Sequence, residues 1–341
     1  MTHQAFVSKL GFNKKGYNLI QKTDDPCLVI SGKSIDYDEK INFIKKKCPN
    51  IHHLAIGKER NSIDKIKDLV ELHKKDSYKH IFVFGGGSII DVAKIFFLSL
   101  KEKSENLNFF AIPTRIGSGA ETSITSIINV KGQKIIDSNE EYLPSTVIYD
   151  TDIIRELPNK ELLFGSMDSL VHCFESMTSF LSNPYLNFFS NQTIKFFFDE
   201  FKIDDLTDKD IFSDKEIMKL CILSFNGGLA QSNSGAGLCH AFAHAAEKIT
   251  NVGHTRCITY FLTPVLEFIK NTNYKFLESN RISHLDEMKA LSTYLKKDIL
   301  ELDKLRGLHS TQESKLNLLE NAKKDPCWRL FNLKGDKDNI I

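Results

Sequence analysis

Histidine is concentrated in one stretch of the chain, HAFAHAAEKITNVGH, which contains His240, His244 and His254. Asp168 and His172 are four residues apart in MDSLVHCFE, the spacing that also separates His240 from His244. Residues four apart share one face of a helix, so a carboxylate and two or three imidazoles could converge on one point. Such a set of nitrogen and oxygen ligands suits iron(II), zinc(II) or a similar divalent ion.

Each of these spacings also has an ordinary structural explanation. An Asp–His pair at this spacing is commonly a contact on a helix surface, and a histidine on an apolar helix face is commonly a hydrogen-bonded core residue. The segment from Thr250 to Gly253 is expected to break the helix, so that His254 begins the next element. The spacing alone leaves the choice between a metal site and a histidine-rich helix open.

A run of glycines follows an apolar segment in FVFGGGSIIDVAK, where Gly85, Gly86, Gly87 and Ser88 are expected to join a strand to a helix. Glycine lets the backbone approach a ligand closely, and the first turn of a helix offers unpaired N–H groups. Both features suit a diphosphate. The run matches neither GxGxxG nor GxxxxGK[ST], so by itself it is equally consistent with a tight turn.

A second loop of small residues, IPTRIGSGAETS, contains Gly117, Ser118 and Gly119 and also follows a predicted strand. Two such loops at the carboxyl ends of strands in one parallel sheet favour a dinucleotide site. Two unrelated turns are the alternative.

The segments around these motifs predict an α/β fold. Short runs rich in Val, Ile and Phe alternate with amphipathic stretches, which is typical of βαβ units and a parallel sheet. Beyond residue 150 the apolar residues have helical spacing, and the stripe of Leu162, Leu163, Leu170 and Phe174 is expected to face the core. The sequence therefore predicts an α/β domain at 1–152 and an all-α domain at 153–341. Strands are predicted at 27–32, 52–57, 80–87, 107–114 and 145–150, and helices at 38–48, 62–75 and 88–100.

The amino-acid composition argues against nucleic acid and membrane lipid as binding partners. The chain has 341 residues, with 45 basic and 44 acidic side chains. It therefore has no basic field that would attract nucleic acid or anionic lipid, and no apolar run approaches the ~18 residues needed to span a bilayer. We expect small-molecule ligands and, as the usual oligomer, a homodimer.

The cysteines and the amino-terminal segment bear on the compartment. The seven cysteines are dispersed and form no CxxC pair, which is typical of reduced, buried thiols in a cytoplasmic protein. The start, MTHQAFVSKLGFNKKGYN, has no basic cap followed by an apolar run, so a secretory leader is not expected.

Taken together, these motifs resemble those of the iron-containing (group III) alcohol dehydrogenases, which have the dehydroquinate-synthase-like fold. The resemblance runs from HIFVFGGGSIIDVAK through IPTRIGSGAETS, LPSTVIYDTDIIRELP and GSMDSLVHCFES to GLCHAFAHAAEKITNVGHTR, over residues 80 to 260. It implies a Rossmann-like parallel sheet followed by a helical domain. It also implies a divalent metal, with iron(II) expected and zinc(II) the alternative, and NAD or NADP.

The resemblance also assigns roles by position. It makes His244 a proton-relay or positioning group beside the substrate. Asp91 would support the glycine loop. The implied metal ligands are Asp168, His172, His240 and His254, and the implied cofactor contacts are Gly86, Gly87, Ser88, Thr114, Ser118 and Lys134.

The chain departs from the family pattern at two places. Arg115 occupies a position where the family usually has a small hydroxyl residue. After the strand CLVIS, many NAD-preferring members carry an Asp, whereas this chain has Gly32-Lys33-Ser34. Without that carboxylate a 2′-phosphate is not repelled, so NADP is as consistent with the sequence as NAD.

The implied activity is hydride transfer between a nicotinamide and a metal-bound alcohol. The segments GGLAQSNSGAGLCHAFAHA and GSGAETSIT look more similar to the branch containing 3-deoxy-manno-octulosonate 8-oxidase than to the branches acting on ethanol or propanediol. This resemblance implies a sugar or sugar-acid substrate in surface polysaccharide synthesis. The substrate pocket would include Asn187, Phe242 and residues 226–234. A lyase or cyclase of the dehydroquinate-synthase type and a non-catalytic member of the fold are the alternatives.

Overall fold

The computed structural model describes residues 7, 9–32, 38–57, 63–73, 76–101, 106–130, 133–207, 211–279, 282–332 and 335–341. The strands in these ranges are β1 (Lys9–Phe12), β2 (Cys27–Gly32), β3 (Ile51–Ile56), β4 (His80–Gly85), β5 (Asn108–Pro113), β6 (Thr125–Val130), β7 (Gln133–Ser138) and β8 (Thr146–Tyr149). The helices before residue 200 are α1 (Asn13–Tyr17), α2 (Asp38–Lys45), α3 (Ile63–His73), α4 (Gly87–Lys101), α5 (Thr151–Arg155), α6 (Asn159–Thr178) and α7 (Pro184–Glu200). The helices that follow are α8 (Ile203–Thr207), α9 (Asp214–Ser234), α10 (Leu238–Thr250), α11 (His254–Ser279), α12 (Leu285–Lys296), α13 (Leu302–Gly307), α14 (Gln312–Lys324) and α15 (Pro326–Leu330).

Two compact units make up the chain. The first comprises Met1–Leu157 with Asp214–Cys221, and the second comprises Pro158–Ser213 with Ile222–Ile341. All the strands of the described residues lie in the first unit. The domain boundary that the sequence predicts lies between residues 152 and 153, and it stays a prediction.

A parallel sheet of six strands, in the order β1-β8-β5-β4-β2-β3, forms the centre of the first unit. The strands CLVIS and HIFVFG are buried along their whole length, as expected for parallel strands covered on both faces. The predicted α/β class is therefore confirmed, with β2, β3, β4, β5 and β8 close to their predicted positions.

The sequence analysis did not identify three of the strands. β1 has four residues and pairs with β8, more than a hundred positions away in the chain, so only the tertiary fold makes it a strand. β6 and β7 form a separate antiparallel hairpin.

The order of strands reverses beside β2. From β2 the chain continues to β3 on one side, and then returns to place β4 and β5 on the other side. In open α/β sheets, ligands bind at the carboxyl ends of the strands where such a reversal occurs. The glycine loop follows Gly85, the last residue of β4, and so lies at this position.

Helices make up the second unit, with α6 at its core. The predicted stripe of Leu162, Leu163, Leu170 and Phe174 is buried. α10 ends at Thr250, because Asn251 adopts a left-handed conformation with φ of 59°, and α11 begins at His254. The predicted helix break is confirmed.

Two further expectations can be compared with the structure. All seven cysteines are free and buried, as predicted. Among the described residues, no helix combines the length and the apolar character that crossing a membrane requires.

Candidate metal centre and nucleotide loops

The carboxylate of Asp168 lies at the centre of a cluster of imidazoles in the second unit. Its Oδ1 atom is 3.4 Å from Nε2 of His240 and 3.7 Å from Nε2 of His254. It is 3.9 Å from Nε2 of His172. Ligand atoms bound at about 2.0–2.2 Å around a tetrahedral ion lie about 3.3–3.6 Å apart. The three Nε2 atoms thus converge on Oδ1 of Asp168, and ligand atoms of Asp168, His172 and His240 all lie within 4.8 Å of one another, close enough to hold one divalent ion.

Two of these ligand atoms are buried and have no hydrogen-bond partner among the described residues. They are Oδ1 of Asp168 and Nε2 of His240. Nδ1 of His172, on the side of the ring away from Asp168, is likewise buried and has no hydrogen-bond partner in the part of the chain that the structure describes. A buried polar atom without a partner costs about 1–3 kcal/mol. A cation would satisfy the first two atoms at once, so the residues present fit a divalent metal.

Glu175 orients the ring of His240. Its Oε2 atom is 2.6 Å from Nδ1 of His240 and accepts a hydrogen bond from the backbone N–H of Gly237 at 2.7 Å. Its other oxygen accepts from the backbone N–H of Cys239. A proton held on Nδ1 of His240 leaves Nε2 as the lone-pair donor, which is the usual arrangement behind a metal-bound histidine. The sequence analysis missed Glu175, although it follows Asp168 by seven residues on the same helix face.

Burial and the neighbouring charges shift the pKa values of the side chains in this cluster. Burial and the charge on His240 lower the pKa of His172 to about 3, although Asp168 opposes this. Burial also lowers the pKa of His240, but the carboxylates of Glu175 and Asp168 outweigh it and raise that pKa to about 10. Burial raises the pKa of Asp168, and the imidazoles, His172 foremost, overcome that effect and hold it well below its usual value. An ion that binds here must therefore displace a proton from His240.

His244 lies beside this cluster and has a different partner. Its ring is 5.1 Å from the ring of His254 and 5.9 Å from that of His240. Its Nδ1 is 2.9 Å from Oδ2 of Asp325. Asp325 also accepts from the backbone N–H of Cys327 at the start of α15. The structure thus places His244 next to the predicted ligands. The sequence analysis did not identify Asp325, because this residue lies beyond the region where motifs were recognised.

The two predicted nucleotide loops contact each other in the first unit. A Cβ atom added to Gly87 would lie 2.7 Å from Oγ and 3.0 Å from Cβ of Ser118, so a larger residue here would have to displace the serine of the second loop. The backbone N–H of Thr114 donates to the carbonyl of Gly85 at 3.0 Å. Ser88 is exposed and Gly86 is partly exposed. The structure therefore brings together the predicted cofactor residues of the two loops.

Arg115, in the second of the two loops, lies next to the glycine loop. A Cβ atom added to Gly86 would lie 3.4 Å from Cδ of Arg115, so this side chain lies against the glycine loop. The family usually has a smaller residue at this position, and here a cation replaces it.

Asp91 is buried in the first turns of α4. Its Oδ1 is 3.6 Å from Nζ of Lys94, which is fully buried and donates to the carbonyl of Thr125. Ser126 donates to the carbonyl of Asp91 at 3.0 Å. Burial raises the pKa of Asp91 to about 6. These contacts connect the start of α4 to the hairpin β6–β7.

Some predicted residues are not tested by these contacts. Lys134 pairs through its backbone with Asn129 in the hairpin, but its side chain lies outside the described residues, as do Lys33 and Ser34. Asn187 accepts from Ser182 at 2.6 Å. Phe242 is fully buried and stacks on Phe261 at 5.5 Å, so it is a core residue in this structure.

Family models match most of the chain. The model described as iron-containing alcohol dehydrogenase matches residues 11–151, and the carboxyl-terminal model of the same family matches residues 163–319. The chain belongs to the iron-containing alcohol dehydrogenase family. The resemblance inferred from the motifs is confirmed.

Individual iron-containing alcohol dehydrogenase relatives are distant. 4-hydroxybutyrate dehydrogenase of Clostridium kluyveri is 28% identical over 240 residues, which cover 65% of this chain and 63% of that enzyme. The chain therefore matches less than two thirds of the length of this relative.

Solved structures extend the similarity to the whole chain. The iron-containing alcohol dehydrogenase of Thermococcus thioreducens has a TM-score of 0.81 at 19% identity, with 98% of this chain and 96% of that chain covered. Sulfoacetaldehyde reductase of Bifidobacterium kashiwanohense, solved in complex with NAD+, has a TM-score of 0.81 at 18% identity, with 100% and 96% covered. At these identities the similarity shows the fold.

Proposed function

We propose that the chain is a metal-dependent, NAD(P)-linked alcohol dehydrogenase or aldehyde reductase. The observation that carries the proposal is the convergence of three imidazole Nε2 atoms within 3.9 Å of Oδ1 of Asp168. Membership of the iron-containing alcohol dehydrogenase family agrees with it. Iron(II) is the expected ion and zinc(II) the alternative, because ligand type alone does not decide between them.

Each side chain at the centre has a distinct task. Asp168, His172, His240 and His254 would hold the ion, and Glu175 would keep the ring of His240 oriented. When bound, the cation supplies Lewis acidity that lowers the pKa of an alcohol hydroxyl, and the nicotinamide accepts the hydride.

His244 would carry the proton. Burial lowers its pKa below the ordinary value of histidine, and the hydrogen bond with Asp325 opposes this. The imidazole is therefore neutral near pH 7, and with its proton on Nδ1 it can accept another at Nε2. In the reductive direction the same atom would return the proton.

The glycine loop would bind the diphosphate of the cofactor. Gly86 precedes α4, and Gly87 and Ser88 form its first turn, where backbone N–H groups point toward a bound anion. The contact of Gly87 with Ser118 would fix the shape of that surface. NAD and NADP are both consistent with the residues described.

The substrate is proposed at two levels. At the broader level it is a small alcohol or aldehyde. The finer proposal, a sugar or sugar acid in surface polysaccharide synthesis, rests on the resemblance of GGLAQSNSGAGLCHAFAHA to one branch of the family. We further propose a cytoplasmic homodimer, supported by the free, buried thiols and by the prevalence of twofold oligomers.

The deciding experiment combines elemental analysis with cofactor titration. Protein purified anaerobically should hold a divalent ion that the variant His254→Ala lacks, should bind NADH or NADPH, and should oxidise at least one alcohol in a screen that includes polyols and sugar acids. His254→Ala should lose metal and turnover together while its circular dichroism is unchanged. Turnover by His254→Ala with its metal retained would show that the ligand assignment is wrong.

A further inference from the structure

A second cluster of metal-ligating side chains lies in the first unit, around the hydroxyl of Tyr78. Nδ1 of His52, on the edge strand β3, is 2.9 Å from this oxygen. Nδ1 of His73, at the end of α3, is 2.8 Å from it. The hydroxyl donates to Oδ2 of Asp76 at 2.8 Å. None of these residues belongs to the proposed catalytic centre or to the nucleotide loops.

The four possible ligand atoms of this cluster lie close together. Oδ2 of Asp76 is 3.3 Å from Nδ1 of His73 and 4.0 Å from Nδ1 of His52. The phenolic oxygen lies 2.8–2.9 Å from the other three atoms, and ligand atoms of His52, His73 and Asp76 all lie within 4.8 Å of one another. Ligand atoms around a tetrahedral zinc ion are about 3.3–3.6 Å apart, so small shifts of these side chains would let all four reach one ion.

We propose that His52, His73, Asp76 and Tyr78 form a zinc(II) site. Two imidazoles with a carboxylate are a donor set that zinc uses widely. In the chain without this ion, hydrogen bonds through the phenol hold the ligand atoms together. Zinc replaces those hydrogen bonds with direct bonds of about 2.0–2.2 Å to each ligand atom.

Zinc binding at this site would release the hydroxyl proton of Tyr78. With the ion bound at Nδ1, each imidazole carries its remaining proton on Nε2. The phenol of Tyr78 loses its proton to solvent and becomes a phenolate. Burial and the neighbouring Asp76 raise the pKa of Tyr78, so the hydroxyl is protonated at neutral pH until the ion binds.

The site would connect three parts of the α/β unit. β3 lies at the edge of the sheet, and the other ligands come from the end of α3 and the segment that leads to β4. Zinc that binds the folded chain more tightly than the unfolded chain stabilises this unit by mass action. The proposed role is structural and is independent of turnover.

The test is zinc titration of the full-length protein, followed by calorimetry and by ultraviolet difference spectroscopy. The wild type should bind one zinc ion more per chain than Asp76→Asn or His52→Gln, and it should show the difference spectrum of a tyrosine phenolate. Zinc should raise its melting temperature, and that part of the rise should be absent from both variants. Tyr78→Phe should lack the phenolate spectrum.

His53→Gln is the matched control. His53 neighbours His52 on β3, and its Nε2 is 2.8 Å from Oγ of Ser31, away from the cluster. This variant should bind as much zinc as the wild type. Asp168→Asn should keep the ion at the new site, which separates this proposal from that of the catalytic centre. Equal zinc binding by the wild type and Asp76→Asn, or an equal loss in His53→Gln, would overturn the proposal.

Discussion

Glu175 and His240 form a buried pair in which Oε2 lies 2.6 Å from Nδ1, while Nε2 on the other side of the ring lies 3.4 Å from Oδ1 of Asp168. Glu175 therefore orients the imidazole of His240, and Asp168 and His240 would bind the same ion. The pair explains why His240 keeps a proton until an ion arrives, because both carboxylates stabilise its charged form.

Glu175→Gln should weaken metal binding by about 10–100-fold, since it removes the carboxylate that orients the ring of His240. Competition with a chromogenic chelator measures this affinity. Glu267→Gln, which removes an exposed ion pair with Lys289, is the control and should bind metal as the wild type does. Unchanged affinity in Glu175→Gln would show that the pair has no part in metal binding.

Asp325→Asn should lower kcat by about 10²–10⁴-fold, the range typical of a lost general acid–base contribution, with metal content unchanged. The hydrogen bond that His244 donates to Asp325 raises the pKa of His244 against the effect of burial. Its removal should therefore move the acidic limb of the kcat profile, on which His244 becomes protonated, to lower pH. A profile that does not move, or one that moves to higher pH, would contradict the proposed proton path.

Gly87→Ala should weaken NAD(P)H binding and leave metal content unchanged. The added Cβ would meet Oγ of Ser118 at 2.7 Å, and such overpacking typically costs about 1–3 kcal/mol. Fluorescence titration of the nicotinamide measures the dissociation constant. Gly307→Ala is the matched control, because no atom of the described residues would lie within 4 Å of its Cβ. Equal affinity in both variants would place the diphosphate elsewhere.

Asp91→Asn should destabilise the protein by about 3–5 kcal/mol, because it leaves Lys94 as a buried charge without its carboxylate. Lys94 is fully buried, and burial already lowers its pKa. The double variant Asp91→Asn with Lys94→Met should recover much of the loss, as the charge is then removed. Urea unfolding measures both. A double variant no more stable than Asp91→Asn would show that the charge of Lys94 is not the cause.

Several features could be predicted from the sequence because their causes are local. The strands CLVISG and HIFVFG are continuous apolar runs, and this composition suits a strand buried on both faces. The spacing of Asp168 and His172, and of His240 and His244, follows from the helical repeat. The break before His254 follows from the Asn251–Gly253 segment, in which Asn251 adopts the left-handed conformation that ends α10.

Other features depended on the tertiary structure, because they join residues far apart in the chain. β1 is a strand only because β8 lies beside it. Asp325 meets His244 across 81 positions, and Glu175 meets His240 across 65. A spacing pattern can show which side chains share a helix face, but not which helices pack together. That packing, through the burial of apolar faces, decided which carboxylate supports which histidine.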